Sequence, residues 1–408
     1  MSLRTTFITT TTLALSTLAT SQALAYDLGE YGKIIGDVRL RHEYVDQESF
    51  ANDAHANTVR TRLGYMTPTW EGLTGYVEGE AIQYIGAERF NDGANGNTAY
   101  PRVNDPEDVA LNQLYLNYLH AGTGTGVTLG RQYITYDNQR WVGWSKFRQN
   151  DRTHDAARIS LKPLDGLNLD YAHSVAVHRA EGSRQVAGEQ EGAIDLIHAD
   201  YALPNDLKAI GYGYFLDFES RIATSSSQTI GGRMEWRPKD TAFWGITPLA
   251  TVDMAQQQDY GSNPTSYSEW YNLFEIGGTV DGYSLVAAYE RLGGDGAASV
   301  KTPIATVHSL NGWVDKFTTT PNNGLQDYYL VFKAPIGLPW EGHKLGFETQ
   351  LHHFSSDAND LDYGREIDIG FSYTPVENHT ITAQAGRYFA DDFSDDTTKV
   401  WLYYDMKF

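Results

Sequence analysis

One segment of the chain, residues 130–158, is rich in both basic and aromatic side chains. Guanidinium groups bind carboxylates through paired hydrogen bonds, and aromatic faces stack on sugar rings or on guanidinium planes. This combination predicts a site for anionic, sugar-like molecules. The alternative is that the aromatic residues belong to the girdle at the membrane interface and that the arginines are bonded to lipopolysaccharide or to neighbouring loops. Such a segment would have the same composition. The residues are Arg131, Arg140, Lys146, Arg148, Arg152, Arg158, Tyr133, Tyr136, Trp141, Trp144 and Phe147.

A second segment, residues 290–329, contains a stretch of roughly thirty residues without a regular pattern, which is long for a simple connection. Such a loop is either functional or folded into the interior of the protein, although it could also pack on its own aromatic residues at the surface. The side chains available to contact a solute are His308, Asn311, Trp313, Asp315 and Lys316.

Catalytic and metal-binding patterns are absent from the sequence. There is no G-x-S-x-G or H-E-x-x-H motif and no cysteine, although the chain has twelve histidines. His352 and His353 are adjacent in a predicted strand, so they point to opposite faces and cannot jointly bind a metal there. The sequence therefore predicts no enzyme, no metal site and no cofactor.

Alternating polar and apolar residues occupy most of the chain after residue 31, with turn residues between the alternating segments. This pattern is typical of a membrane barrel whose lipid-facing and interior side chains alternate. It predicts an all-β fold, a transmembrane antiparallel up-and-down β-barrel of about eighteen strands, with sixteen as the alternative. The predicted strands are 33–46, 58–67, 73–85, 108–119, 125–136, 153–162, 166–178, 192–203, 206–218, 227–237, 246–257, 268–279, 282–292, 325–335, 343–355, 364–374, 378–390 and 397–408.

The connections support this prediction because short and long ones alternate. Those after even strands are short and turn-like, whereas several after odd strands are long and polar, namely 87–107, 137–151, 179–191 and 293–324. Short periplasmic turns and long external loops are typical of outer-membrane barrels. We therefore expect both termini in the periplasm. Whether 87–107 and 293–324 close the pore is left open.

The last strand should close the barrel against the first. Residues 399–408 alternate and end in Phe408, which resembles the signal that outer-membrane barrels present to their assembly machinery. Closure should bring Asp405 and Lys407 beside Arg39 and Arg41. An ordinary terminal strand of a soluble sandwich is the alternative.

Residues 1–25 are predicted to be a cleaved signal peptide, with Arg4 before an apolar stretch and an Ala23-Leu24-Ala25 cleavage site. The barrel domain is then 26–408.

With 31 basic and 52 acidic residues the formal net charge is −21, which argues against nucleic acid as a partner. Without cysteine there is no disulfide framework.

Alternation places both signs of charge on the predicted inner face. Opposed charged walls would set ion selectivity, whereas pairs of opposite charge would only brace the wall, at about 0–1 kcal/mol for each exposed pair. Bracing is expected for most acids. The inner basic residues are Arg39, Arg41, Arg60, Arg62, Arg158 and Arg233; the acids are Asp37, Glu43, Glu78, Glu80, Asp170, Asp200, Glu235, Glu275, Glu290, Glu348, Glu366 and Asp368.

The two segments together resemble the characteristic blocks of the alginate-export family of outer-membrane proteins, through GRQ at 130–132, YDNQR at 136–140, RQN at 148–150, GGDG at 293–296 and NGW at 311–313. The resemblance implies an eighteen-stranded monomer through which an anionic polysaccharide crosses the outer membrane. It implies that Asp315 and Lys316 lie on a loop folded toward the lumen. Unlike the export protein, the chain has short connections after its even strands, which favours smaller solutes. The resemblance also implies an electropositive conduit near Arg131, Arg140, Arg148, Arg152 and Arg158.

The sequence thus leads to the hypothesis of a passive outer-membrane channel for anionic saccharides, meaning alginate, oligouronates or sugar acids. The alternative is a general or cation-tolerant porin; a non-conducting surface barrel and an outer-membrane hydrolase are less favoured. The expected partners are outer-membrane lipid and lipopolysaccharide, the barrel-assembly machinery and the solute.

Overall fold

The computed structural model describes residues 26–185, 187–239 and 244–408, so the predicted signal peptide lies outside the described residues. Within these ranges, eighteen antiparallel strands form one sheet that closes on itself. The strands are β1 Lys33–Gln47, β2 Ala54–Met66, β3 Leu73–Tyr84, β4 Asp108–His120, β5 Thr125–Gln132, β6 Thr153–Leu164, β7 Leu167–His178, β8 Glu189–Leu203, β9 Leu207–Phe218, β10 Ser227–Trp236, β11 Thr247–Asp259, β12 Ser268–Val280, β13 Tyr283–Leu292, β14 Leu325–Ile336, β15 Lys344–Ser355, β16 Asp362–Val376, β17 His379–Ala390 and β18 Thr397–Lys407.

Three small elements complete the secondary structure of the described residues. The two-residue strand Tyr26–Asp27 pairs with the start of β1. Short 3-10 helices span Gly29–Tyr31 and Ser220–Ser225. None of the helices in the described part of the chain is long and apolar enough to cross a membrane.

The predicted all-β barrel of eighteen strands is confirmed, and the sixteen-strand alternative is excluded. Strand bounds differ from the prediction at two notable places. The second strand begins at Ala54 rather than near residue 58. The fifth ends at Gln132 rather than near residue 136, because the chain leaves the wall there and turns into the barrel, where the Tyr136 amide donates to the Val142 carbonyl.

The barrel closes between β18 and β1, as predicted. Asp405 lies opposite Arg39 and forms an ion pair with it at 2.7 Å, whereas Lys407 lies opposite Asp37. Each edge strand thereby gains a partner, which removes the open sheet edge that lipid would not tolerate.

The connections divide the barrel into a long-loop end and a short-turn end, with Tyr26 and Phe408 both at the short-turn end. This matches the predicted alternation of loop lengths. The loops of the long-loop end, numbered in chain order, are loop 1 (48–53), loop 2 (85–107), loop 3 (133–152), loop 4 (179–188), loop 5 (219–226), loop 6 (260–267), loop 7 (293–324), loop 8 (356–361) and loop 9 (391–396).

The outer and inner faces of the wall have opposite character. Apolar side chains that would be buried in a soluble protein face outward, for example Leu63, Leu116, Leu285 and Ile276, the last of which is 69 % exposed. The inner face carries the charged residues of the same strands. A barrel that is apolar outside and polar inside is suited to lipid outside and water inside.

The buried core lies inside the barrel, at the level of the long-loop end. It consists of aromatic and aliphatic side chains from loops 3 and 7 packed against the inner faces of the later strands, including Trp141, Ile304, Phe317 and Phe354. These two loops are therefore part of the core rather than surface connections.

Candidate functional site

Four arginines on β1 and β2 hold loop 3 against the wall. The Arg39 guanidinium donates to the Lys146 carbonyl at 2.9 Å, and that of Arg41 donates to the Phe147 carbonyl. Arg60 and Arg62, on the neighbouring strand, extend the same ladder. All four side chains are buried, so the ladder lies behind the loop.

Gln149 is the point at which loop 3 is most firmly attached. Its carbonyl accepts hydrogen bonds from Arg60 at 3.3 Å and Arg62 at 3.2 Å. Its amide donates to Asp105 of loop 2 at 2.8 Å, and its side chain donates to Thr58 at 2.7 Å. Because Gln149 is fully buried, these bonds are shielded from competing water.

Carboxylates neutralise each arginine of the ladder, as the bracing interpretation expected for most acids. The pairs are Arg39–Asp405 at 2.7 Å, Arg41–Glu43 at 2.7 Å, Arg60–Asp37 at 2.8 Å, Arg62–Asp151 at 2.7 Å and Arg62–Glu80. Buried ion pairs add little net stability, because the cost of desolvation offsets their attraction, but the loss of one partner is costly. The contacts of the ladder fix loop 3; lining of the pore by these arginines stays a prediction.

Loops 3 and 7 are joined inside the lumen by backbone hydrogen bonds. The Gly143 amide donates to the Ile304 carbonyl at 2.9 Å, and the Thr306 amide donates to the Gln139 carbonyl at 3.0 Å. The two loops therefore form one inner unit, which we call the constriction.

Arg140 fastens this constriction to the opposite wall. Its guanidinium forms a two-pronged ion pair with Glu290 of β13, with an Nε–Oε1 distance of 2.8 Å, and donates to Asn311 of loop 7 at 2.8 Å. Asn311 in turn donates to Glu290 at 2.8 Å and to Asp327 at 3.0 Å. A residue of each loop and a residue of the wall thus share one buried network.

Loop 7 also binds the wall through its backbone. The Val314 amide donates to Glu366 at 2.7 Å, and the Trp313 amide donates to Asp368 at 3.3 Å. Gly312 permits this approach: its φ is +84°, and a Cβ atom there would lie 2.4 Å from a Glu366 oxygen. Loop 7 therefore folds into the barrel, as the resemblance implied for Asp315 and Lys316. Loop 2 contacts the constriction through Asp105.

A cavity of about 590 Å³, the vestibule, lies between the constriction and the long-loop end. Its charged lining is strongly basic in a chain whose net charge is −21. A site with one sign of charge concentrates solutes of the opposite sign. The charged residues of its lining are Arg102, Arg148, Arg152, Arg179, Lys301, Lys316 and Lys399, against Glu181 and Asp315.

Three of these cations, Arg102, Arg152 and Lys301, have no carboxylate partner among the described residues. Arg102 donates to two side-chain amide oxygens, and Arg152 donates to the carbonyls of Gly143 at 3.0 Å and Ala305 at 2.6 Å. The Nε of Arg152 is buried without an acceptor in the same part of the chain. Burial and the nearby Arg179 lower the pKa of Arg152 to about 9, and burial lowers the pKa of Lys301. These groups favour an incoming anion.

Arg148 of the vestibule lining is shared between the wall and loop 7. It contacts Glu43 at 3.1 Å and Asp315 at 2.8 Å. Asp315 also contacts His308 at 3.1 Å and Lys399 at 3.7 Å. Burial alone would raise the pKa of Asp315, but the contact with His308 and the cations Lys399 and Arg148 hold it below its usual range. Within the described residues, no group of three or more histidine, aspartate or glutamate side chains is arranged to hold a metal ion.

One predicted pore residue requires a correction. Arg131 lies on the outer face, on the same side of β5 as the exposed Leu129 and beside the exposed Leu114 of β4, and it pairs with Asp155 at 2.8 Å. The prediction that it lies in the conduit is wrong, because the strand keeps its alternation up to the rim and Arg131 therefore has the outward direction of Leu129.

The other predicted site residues face inward but have different surroundings. Arg158 pairs with Asp170 at 2.9 Å, and the buried Arg233 pairs with Glu235 at 2.8 Å. The remaining aromatic side chains are packed: Trp141 donates to the Tyr212 hydroxyl at 3.1 Å, Trp144 contacts the Tyr133 ring, and Trp313 is buried. His308, Asp315 and Lys316 line the vestibule, together with Arg148 and Arg152.

Four cations of the vestibule were not among the site residues predicted from the sequence. Lys399 has the same parity on β18 as Trp401 and Asp405, so alternation was a sufficient signal for it. Arg102, Arg179 and Lys301 lie in loops, where alternation gives no direction.

Comparison with solved structures finds the same architecture in barrels from Pseudomonas aeruginosa. OccK9 (OpdG) superposes with a TM-score of 0.71 at 14 % identity, over 92 % of this chain and 98 % of that chain. OpdK with vanillate superposes with a TM-score of 0.69 at 12 % identity, over 93 % of this chain and 100 % of that chain. OpdO superposes with a TM-score of 0.67 at 14 % identity, over 94 % of this chain and 98 % of that chain. No protein-family model and no curated protein matches the sequence. The chain therefore shares the eighteen-stranded barrel fold of these proteins.

Proposed function

We propose that the protein is a passive outer-membrane channel for small organic anions. The observation that carries this proposal is the vestibule, where Arg102, Arg152 and Lys301 present cations without carboxylate partners above a constriction. The apolar outer face supports a location in lipid. The fold also supports a location in the outer membrane, because OpdK is an outer membrane protein with the same architecture. No enzymatic activity forms part of the proposal.

The solute class that fits the vestibule best is a carboxylate of modest size, such as a sugar acid or a short oligouronate. Arginine binds carboxylates in a two-pronged geometry, and a cavity of about 590 Å³ falls within the ~300–1,000 Å³ range of small-molecule sites. The joined loops 3 and 7 favour short solutes over a long alginate polymer. Vanillate, with which OpdK was crystallised, is also a small carboxylate.

The charge distribution suits passage rather than retention of an anion. Cations attract the solute at the vestibule, whereas the inner wall of the short-turn half carries paired charges, among them Lys333–Glu348 at 3.0 Å and Lys208–Asp200 at 3.6 Å. A channel must bind its solute well enough to admit it and weakly enough to release it.

Solute uptake into liposomes tests the proposal. We expect proteoliposomes to swell faster in glucuronate than in glucose, with Arg152→Gln reducing the preference. Arg131→Gln is the matched control, because Arg131 lies outside the barrel and should leave the preference unchanged. Equal rates for both solutes would reject the anionic solute class and leave the barrel intact.

A general or cation-tolerant porin is the second candidate, and one observation favours it. Asp200, Glu275 and Glu348 remain half-exposed on the inner wall below the constriction, although each has a basic partner. If they dominate, cations should permeate at least as well as anions.

We also propose that the barrel acts as a monomer with both termini in the periplasm, and that the assembly machinery binds its last strand. Phe408 exchanges backbone hydrogen bonds with Gly36 at 2.7 and 2.9 Å, and its half-exposed ring lies over that glycine. Deleting Phe408 should reduce assembly of the barrel in cells.

A further inference from the structure

A cluster of basic side chains lies on the outer face of the barrel, near the long-loop end. Arg365 of β16 is directly opposite His353 of β15, and Arg387 of β17, which pairs with Ile367, is its diagonal neighbour. On one face of an antiparallel pair, Cβ atoms are about 4.5–5.5 Å apart when directly opposite and about 7–8 Å apart on the diagonal. The three basic residues, which we call the outer cluster, are close enough to contact one anionic group.

The outer cluster is incompletely neutralised by its neighbours. Arg387 contacts Asp396 of loop 9 at 3.1 Å, and His353 lies 4.0 Å from Asp362. Arg365 is exposed and has no hydrogen-bond or ion-pair partner among the described residues. At least one cation of the cluster therefore lacks an anion from this chain.

The surroundings of the cluster are apolar, which restricts the class of anion. On the side of the short-turn end its outward neighbours are Leu351, Ile367 and Ile369, all exposed. A charge beside hydrocarbon is unfavourable unless it reaches the interface or gains a counter-charge. An amphiphile with an anionic head group and acyl chains would satisfy both the cations and the apolar residues.

We propose that the outer cluster binds the phosphate group of a glycolipid in the membrane leaflet around the long-loop end, with the acyl chains lying on the apolar residues below. Basic side chains grouped at a membrane interface recognise anionic head groups in this way. The site is on the opposite face of the wall from the vestibule. It needs the barrel to lie in a membrane but does not depend on which solute the channel conducts.

Native mass spectrometry of the purified full-length barrel with lipid A tests this proposal. The test variant is Arg365→Gln/Arg387→Gln. The control is Arg131→Gln, because Arg131 has the same outward position near the rim but is neutralised by Asp155 through bonds of 2.8 and 2.9 Å. Heat-modifiable electrophoretic mobility shows that each variant is folded.

We expect wild type and Arg131→Gln to bind lipid A equally, and the double variant to bind about twenty-fivefold more weakly, at about fivefold per arginine. Dephosphorylated lipid A should bind the wild-type protein as weakly as lipid A binds the double variant. Inorganic phosphate should not compete with lipid A for the wild-type protein. Competition by inorganic phosphate would identify a free-anion site instead. Equal binding by wild type and the double variant, or an equal loss in Arg131→Gln, would overturn the proposal.

Discussion

Replacing Arg140 with methionine should loosen the constriction while leaving the barrel closed. The Arg140 guanidinium is 2 % exposed and holds Glu290 of the wall and Asn311 of loop 7 together. Arg140→Met leaves the Glu290 carboxylate buried beside a second acid, Asp327. Since Arg140 and Glu290 are both buried, salt screens this pair much less than it would screen a pair at the surface.

The expected size follows from the cost of breaking a buried ion pair, which is about 3–5 kcal/mol when one partner is removed. At about 1.4 kcal/mol for each factor of ten, the equilibrium between attached and detached loops should shift by about two to three and a half orders of magnitude. The remaining attachments, through Gln149 and Val314, keep part of the population in place.

Single-channel recording is the assay, because detached loops widen the pore. We expect Arg140→Met to show frequent transitions to larger conductance that wild type lacks. Arg140→Met/Glu290→Met should show fewer such transitions, since replacing both partners leaves no uncompensated charge. A folded Arg140→Met channel with wild-type conductance and noise would refute the idea that this network holds the loops.

Two further predictions concern the same loops. Burial and the nearby Lys407 lower the pKa of Lys146 to about 8, so Lys146 is cationic below that pH and neutral above it. The anion preference, measured as the reversal potential, should therefore fall between about pH 7 and pH 9. This fall should be smaller in Lys146→Met. Gly312→Ala should destabilise the protein by about 1–3 kcal/mol in thermal unfolding, because it forces a side chain into positive φ against Glu366. Gly342→Ala, with φ of +79° and no atom within 4 Å of a Cβ, is its control and should cost less. Equal losses in the two glycine variants would show that the contact with Glu366 is unimportant.

The wall of the barrel was predictable because lipid outside and water inside impose a period of two on every strand. The same period predicted the inward direction of Arg39, Arg60 and Glu366 and the pairing of Asp405 with Arg39. A side chain's direction is a local property of a strand, so one sequence is sufficient to infer it.

The partners of those inward residues were not predictable. Arg39 and Arg60 donate to backbone carbonyls of loop 3, and Glu366 accepts from a backbone amide of loop 7. Every residue type offers such groups, so composition does not reveal the contact. The loop cations that complete the vestibule and were not predicted, such as Arg179 and Lys301, take their directions from the irregular paths of loops 4 and 7.

The sign of the zero-current potential across a bilayer that contains the purified channel, under a KCl gradient at neutral pH, tests the proposed function most directly. We expect a potential of the sign set by chloride, reduced in Arg152→Gln and unchanged in Arg131→Gln. A potential of the sign set by potassium in the wild-type channel would contradict the assignment of the basic vestibule as the selective part of the pore.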